Sequence, residues 1–253
     1  MARPSSATRV RRFLHLLAQD RKGGFTLHKI DTKPFFAADA ACHHQQSPAA
    51  LRPCPPPQPV ARFEKLAQFF PLGRGGVEKI VGVDQVHRHT IIFATRTKAV
   101  CAGSDLRCSK NIGAAWAEAG GRLYVLDCPN MFADPPRFLD LEALAYDPYR
   151  GDWFWSSLPS LPTDDDCHVI TSFADGASTG AIMRVSMPWH GTYAFDMARG
   201  SWHKEGDWEM PFRGRAQYVA DYGLWFGFSD QAASDLCAAD LDVNAKPAHR
   251  HWL

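Results

Sequence analysis

The sequence predicts an all-β fold assembled from repeated antiparallel sheets, and three observations lead there. From about residue 77 onward, apolar and aromatic runs of roughly four to six residues alternate with glycine, proline and aspartate, the texture of short strands closed by tight turns. No long stretch of that region carries apolar residues at helical spacing. Finally, Tyr146-Asp147-Pro148-Tyr149-Arg150-Gly151-Asp152-Trp153 aligns without a gap on Phe195-Asp196-Met197-Ala198-Arg199-Gly200-Ser201-Trp202. An aromatic-Asp-x-x-Arg-Gly-x-Trp unit thus recurs 49 positions apart.

Taken in order, residues 1–36 read as a basic N-terminal arm. Residues 1–33 hold Arg3, Arg9, Arg11, Arg12, Arg21, Lys22, Lys29 and Lys33 against only Asp20 and Asp31. Within the arm, RVRRFLHLLAQ spaces Val10, Phe13, Leu14, Leu16 and Leu17 at roughly helical intervals, which predicts a short amphipathic helix docked by its apolar side. Residues 1–19 contain no acid and include Ser5, Ser6 and Thr8, a composition shared with organelle transit peptides, whereas FLHLLA is short and broken by His15 for a secretory signal. Residues 37–76 read as a linker: AADAACHHQQSPAALRPCPPPQPV has little apolar surface to bury, and Pro55 to Pro57 favour extended polyproline. The repeated domain then spans 77–253.

Each copy of the repeat ends in proline, LPSLP at 158–162 and EMP at 209–211, and each follows a glycine-led segment, AGGRLYVLD at 119–127 and DGASTGAIMRVS at 175–186. A third copy begins with YGLWFGFSD at 222–230. Gly121 and Gly223 stand 102 residues apart, close to two periods. Its second half, LCAADLD at 236–242, keeps the apolar-Asp element and then decays. An earlier partial unit shows as TIIFAT at 90–95 and AVCAGSD at 99–105. Glycine permits the sharp reversals, the alternating strands turn one face inward, and the tryptophan supplies contact between neighbouring sheets. Four-stranded units of roughly 40 to 50 residues are the blades of a β-propeller, of which the chain holds about three to four, a full or incomplete ring.

GGRLYVLD with its later tryptophan resembles a kelch-type blade. The wider set RRFLHLL, LHKID, GGRLYVLD, WFWSSLP, GTYAFD, GDWEMPFRGRAQYV, GLWFGFS and LCAADL resembles an uncharacterised grass-protein family, a domain of unknown function expanded in rice. The resemblance covers nearly the whole chain and is strongest from 114 to 241. It implies a plant protein with a kelch-like propeller, and it implies no catalytic residues.

Composition narrows the function classes. Lysine and arginine number 28 against 27 acids in 253 residues, so no whole-protein field draws nucleic acid or anionic membrane. No stretch approaches the roughly 18 apolar residues of a membrane span. The seven cysteines include no C-x-x-C pair, which suggests neither a disulfide framework nor a zinc ribbon, and a reducing compartment, cytoplasm or nucleus, is expected. Cys101, Cys108 and Cys237 lie in apolar runs and are expected as buried, inert thiols.

Four segments suggest chemistry and fall short of it. His87-Arg88-His89 puts two imidazoles within reach of one ion but has no third ligand nearby. His43-His44 lies in the linker, Asp164-Asp165-Asp166 lacks the spacing of a calcium loop, and PLGRGGVEK at 71–79 misplaces the lysine of a phosphate loop. No catalytic residue, cofactor or metal is assigned. GDWEMPFRGRAQYV differs, because Trp208, Phe212, Arg213 and Arg215 share one connection, and tryptophan and arginine are the commonest interface anchors. Those four residues are the expected partner-binding set, with packing between sheets as the structural alternative. The resulting expectation is a non-catalytic protein-interaction module with an unidentified protein partner. The alternatives are a propeller that binds or modifies a sugar or metabolite, and nucleic-acid binding through the basic arm.

Overall fold

The computed structural model describes residues 13–33, 56–66, 68–73, 78–111, 113–128, 139–163, 169–175, 181–231, 235–242 and 250–251. Among them every regular element is a strand and none is an α-helix. No helix among the described residues is long and apolar enough to cross a membrane.

The first sheet joins β1 (Phe13–Gln19), β2 (Phe25–Asp31) and β3 (Pro59–Phe63) in that order, all antiparallel. This corrects the expected helix: residues 13–19 of RVRRFLHLLAQ form β1. FLHLLAQ satisfies a period of two as well as a helical one, and pairing decides between them. All seven residues pair with β2, with Leu17 opposite Leu27. Asp20 fixes the reversal, its Oδ1 accepting from the amides of Lys22 at 2.7 Å and Gly24 at 2.9 Å, with Gly23 at φ 82°. Strand β3 and the next, β4 (Gln68–Leu72), fall inside the segment read as a linker, and β4 pairs across position 77 with β5 (Lys79–Val83).

The second sheet continues from β4 and β5 through β6 (Thr90–Ala94) and β7 (Val100–Gly103). The third is β8 (Ala115–Ala119), β9 (Arg122–Leu126), β10 (Leu141–Asp147) and β11 (Asp152–Ser157). The fourth has eight strands and comprises two meanders. One is β12 (Ser172–Asp175), β13 (Ile182–Met187), β14 (Gly191–Asp196) and β15 (Ser201–Gly206). The other is β16 (Phe212–Val219), β17 (Leu224–Ser229), β18 (Leu236–Ala239) and β19 (Arg250–His251). Their first strands, β12 and β16, pair in parallel and fuse the two meanders.

The sequence repeat is one hairpin seen twice. Tyr146 and Trp153 pair across β10 and β11, and Phe195 and Trp202 pair across β14 and β15. In each, the aspartate side chain accepts turn amides and its carbonyl accepts from the glycine amide, at 2.8 Å for Gly151 and 2.7 Å for Gly200. Both glycines are left-handed, at φ 69° and 68°. The same spacing recurs at Tyr218, Gly223 and Trp225 between β16 and β17. Between β6 and β7 the hairpin also recurs, but Lys98 occupies the left-handed position at φ 59° and Val100 replaces the tryptophan. A side chain there costs about 1–2 kcal/mol. Gly200→Ala is therefore expected to lose about 1 kcal/mol, while Lys98→Gly should lose none, because relief of strain offsets the added freedom of the unfolded chain. Urea denaturation of both variants checks the contrast, and equal losses would contradict it.

Apolar clusters fill the spaces between successive sheets. Leu27 and Phe63 meet Ile80 and Phe93; Val81 and Ile92 meet Leu123 and Leu144; Tyr124 and Leu141 meet Val185 and Phe195. Trp155 crosses the second of these interfaces and donates its indole N–H to Thr90 at 2.9 Å. Within the fused sheet, Arg184 of β13 holds Glu205 through two 3.0 Å bonds, reaches Asp242 at 3.3 Å and lies 5.5 Å from the Trp225 ring centre.

Candidate functional site

Alternation along a meander puts the β13–β14 turn and the β15–β16 connection on one edge of the fused sheet. The turn is Met187-Pro188-Trp189-His190-Gly191. Gly191 has φ 83°, and a Cβ there would stand 2.1 Å from the Gly206 carbonyl oxygen, so only glycine fits. Trp189 takes the left-handed φ of 63°, donates its amide to Glu209 Oε1 at 3.2 Å, and leaves its side chain 96% exposed.

The connection facing that turn is pinned from below by buried hydroxyls. The Met210 amide donates to Ser186 Oγ at 2.9 Å, Ser186 and Thr192 hydroxyls lie 2.7 Å apart, and Thr192 donates to the Trp208 carbonyl at 2.6 Å. Thr192 has one proton and gives it to Trp208, so Ser186 is the donor between the two hydroxyls. The relay is complete. Thr192→Val, which leaves the Trp208 carbonyl and the Ser186 proton without these partners, is expected to cost about 1–3 kcal/mol. Thermal melting checks this, and an unchanged midpoint would show the relay to be idle.

The four residues expected to bind a partner separate into different environments. Trp208 is half-buried, its ring lying close over Gly206, and it shares the edge with Trp189. Phe212 is core, 1% exposed and packed against Gly227. Arg213 is exposed and pairs in register with Phe228. Arg215 turns toward the first strands of neighbouring units, its guanidinium 3.8 Å from the Trp116 ring centre and bonded to Asp175 at 3.0 and 3.1 Å. Trp189 was not anticipated, although an aromatic between proline and His-Gly in a hairpin turn is a readable signal.

A second polar group was illegible in sequence. The connection between β7 and β8 buries Lys110, whose Nζ lies 3.1 Å from Glu142 Oε2 and donates to the Asp140 carbonyl at 2.9 Å. Glu142 Oε1 also accepts the Arg107 amide at 2.9 Å. Gln85 donates to the Lys110 carbonyl at 2.8 Å, and Gln68 donates to the carbonyls of Lys110 and Asn111. Asp127, the last residue of GGRLYVLD, accepts the Asn111 amide at 2.7 Å, and burial pushes its carboxyl above the usual range. These contacts make the group an anchor for the connection, with Glu142 Oε2 held by the Lys110 charge and accepting no hydrogen bond.

His87 and His89 stack with ring centres 5.8 Å apart, each bonded through Nδ1 to a carboxylate, Asp84 at 2.7 Å and Asp105 at 2.9 Å. Burial raises the Asp84 carboxyl, but the His87 ring and the amides of Val86 and His87 outweigh it and hold it low. No group of three or more metal-ligating side chains occurs among the described residues. His43-His44, Asp164-Asp165-Asp166 and the centre of PLGRGGVEK lie outside those residues. Cys237 is buried as expected, whereas Cys101 is exposed on β7 and Cys108 is half-buried in a connection, which corrects the expectation of buried thiols there.

Comparison with known families matches residues 11–252 to DUF1668, described as a protein of unknown function. The chain belongs to the DUF1668 family. A comparison with curated proteins finds no match. Among solved structures, a chain of a nidogen/laminin complex is similar at 11% identity and TM-score 0.54, covering 96% of this chain and 77% of that one. A structural genomics protein of unknown function from Bacteroides thetaiotaomicron VPI-5482 is 11% identical with TM-score 0.49, and covers 74% of this chain and 44% of its own length. This DUF1668 chain therefore spans less than half of the Bacteroides protein. The likeness to the nidogen/laminin chain shows the fold alone, an all-β arrangement of sheets.

Proposed function

We propose that this chain is a kelch-like propeller serving as a non-catalytic protein-interaction module in the cytoplasm or nucleus of a plant cell. With the eight-stranded sheet read as two blades joined at their first strands, the described sheets would amount to five blades, against the three to four of the sequence reading. The observation that carries the function is Trp189. A large aromatic side chain, 96% exposed, sits in a left-handed backbone conformation that disfavours any side chain, and Glu209 holds it there. Tryptophan is among the residues most enriched at the energetic centres of protein interfaces.

The test is quantitative affinity capture from plant-cell lysate with the full chain and with Trp189→Ala, after both show the same cooperative melt. A stoichiometric protein partner bound by the wild type is expected to weaken about thirtyfold, corresponding to the roughly 2 kcal/mol of an interface anchor. Capture of no protein, or of the same proteins with undiminished affinity by Trp189→Ala, would overturn the reading.

A further inference from the structure

Twice inside the chain a tryptophan, an arginine and a carboxylate meet. The Arg215 guanidinium lies 3.8 Å from the Trp116 ring centre while its Nη2 donates to the two Asp175 oxygens at 3.1 and 3.0 Å. Arg184 lies 5.5 Å from the Trp225 ring centre, holds Glu205 through Nε and reaches Asp242 through Nη2. A planar guanidinium suits both partners at once, its face against the ring and its N–H edge toward the carboxylate.

Trp189 and Glu209 form such a pair without the arginine. The Trp189 amide donates to Glu209 Oε1 at 3.2 Å, so the ring and the carboxylate stem from one contact. Among the described residues no cation or ring lies against the Trp189 side chain, which is 96% exposed. The charge nearby is mostly of one sign. The Asp230 amide donates to the Pro211 carbonyl at 3.3 Å, which sets the β17–β18 turn against the connection at 207–211. Asp230 and Asp235 are exposed at the two ends of that turn. Neither they nor Glu209 makes an ion pair among the described residues, whereas Asp207, 92% exposed, holds Lys204. Arg213, the nearest arginine along the chain, is exposed on β16 opposite Phe228. The edge therefore joins an uncovered ring to an excess of carboxylates, which selects a cationic partner and repels nucleic acid.

We propose, resting on Trp189 as the anchor of a protein partner, that the partner supplies an arginine that stacks on the Trp189 ring and bonds to Glu209. Lysine is the weaker fit, because a point charge cannot present a flat face to the ring and a fork to the carboxylate together.

The probe is the peptide Gly-Ser-Gly-X-Gly-Ser-Gly with X as arginine, lysine, citrulline or glutamate. It is titrated into the isotope-labelled full chain and followed by NMR at the Trp189 indole and the Glu209 amide. The arginine peptide is expected to move both signals and to bind about tenfold more tightly than citrulline, which keeps the shape and loses the charge. Lysine should fall between them, and glutamate should not bind. Glu209→Gln should reduce the arginine advantage over citrulline to about threefold. Trp189→Ala should remove it, and Trp189→Phe should restore part. Equal binding of the arginine and citrulline peptides, shifts confined to other residues, or an arginine advantage undiminished in Glu209→Gln and Trp189→Ala would overturn the proposal. Tetramethylammonium binding as tightly as the arginine peptide would overturn it too, since a cation without N–H groups would then suffice. The interaction module and its arginine fail separately. A captured partner that needs Trp189 but ignores Glu209→Gln leaves the module standing and removes the arginine. Capture of no Trp189-dependent partner removes the module, and the partner's arginine with it.

Discussion

Lys110→Met is expected to destabilise the fold by about 3–5 kcal/mol, the usual cost of removing one partner from a buried ion pair. The side chains of Lys110 and Glu142 are 0% and 1% exposed, so neither charge finds water when the other is removed. The Glu142 carboxylate would keep only the Arg107 amide, and the Asp140 carbonyl would lose its ammonium donor. At roughly 2–4 °C per kcal/mol for a chain of this size, the melting midpoint should fall by about 10 °C. Glu142→Gln added to Lys110→Met should recover part of the loss, because a neutral amide costs less to bury and can still accept from Arg107. A loss under about 1 kcal/mol, or a double variant no better than the single one, would show that the pair is hydrated in solution.

Phe195→Ala should cost a comparable 3–5 kcal/mol, for a different reason. The ring is fully buried, 5.0 Å from Trp202 across the hairpin and 6.3 Å from Tyr124 in the preceding sheet. Truncation opens a void at the junction of two sheets, and it also removes the aromatic partner of the repeat's tryptophan. Tryptophan fluorescence during urea denaturation measures the loss. Values below about 2 kcal/mol would mean that Tyr124 and Trp202 close the space.

The repeat was legible because it encodes turn chemistry. Asp147 and Asp196 bind turn amides, Gly151 and Gly200 take a conformation closed to most side chains, and the aromatic pairs face across the hairpin. The β6–β7 copy was legible only as a partial unit, since Lys98 accepts the same strained conformation and Val100 stands where a tryptophan would have marked it. FLHLLAQ misled because its apolar residues fit two periods, and the choice depended on a partner strand its local pattern does not reveal. The GDWEMPFRGRAQYV site scattered for a related reason. Gly214, Arg215 and Ala216 stand opposite Gly227 alone, with Gly214 at φ 73°, so the alternation that would predict which way each side chain points is broken. Arg215 then finds Trp116 and Asp175, residues 99 and 40 positions away in sequence.

The parallel pairing of β12 with β16 has a mechanical consequence. At the other junctions the units touch mainly through side chains, with the Ser104 amide bonded to the Trp153 carbonyl at 2.8 Å between the second and third sheets, as plates that can slide by small shear displacements. At this seam a ladder of paired strands binds the plates together, from Ser172 opposite Gly214 to Asp175 opposite Gln217, and Arg184 rivets them farther out through Asp242. The last two units should therefore move as a single stiff panel. Any flexing of the molecule would be concentrated at the junctions between the sheets that precede this panel.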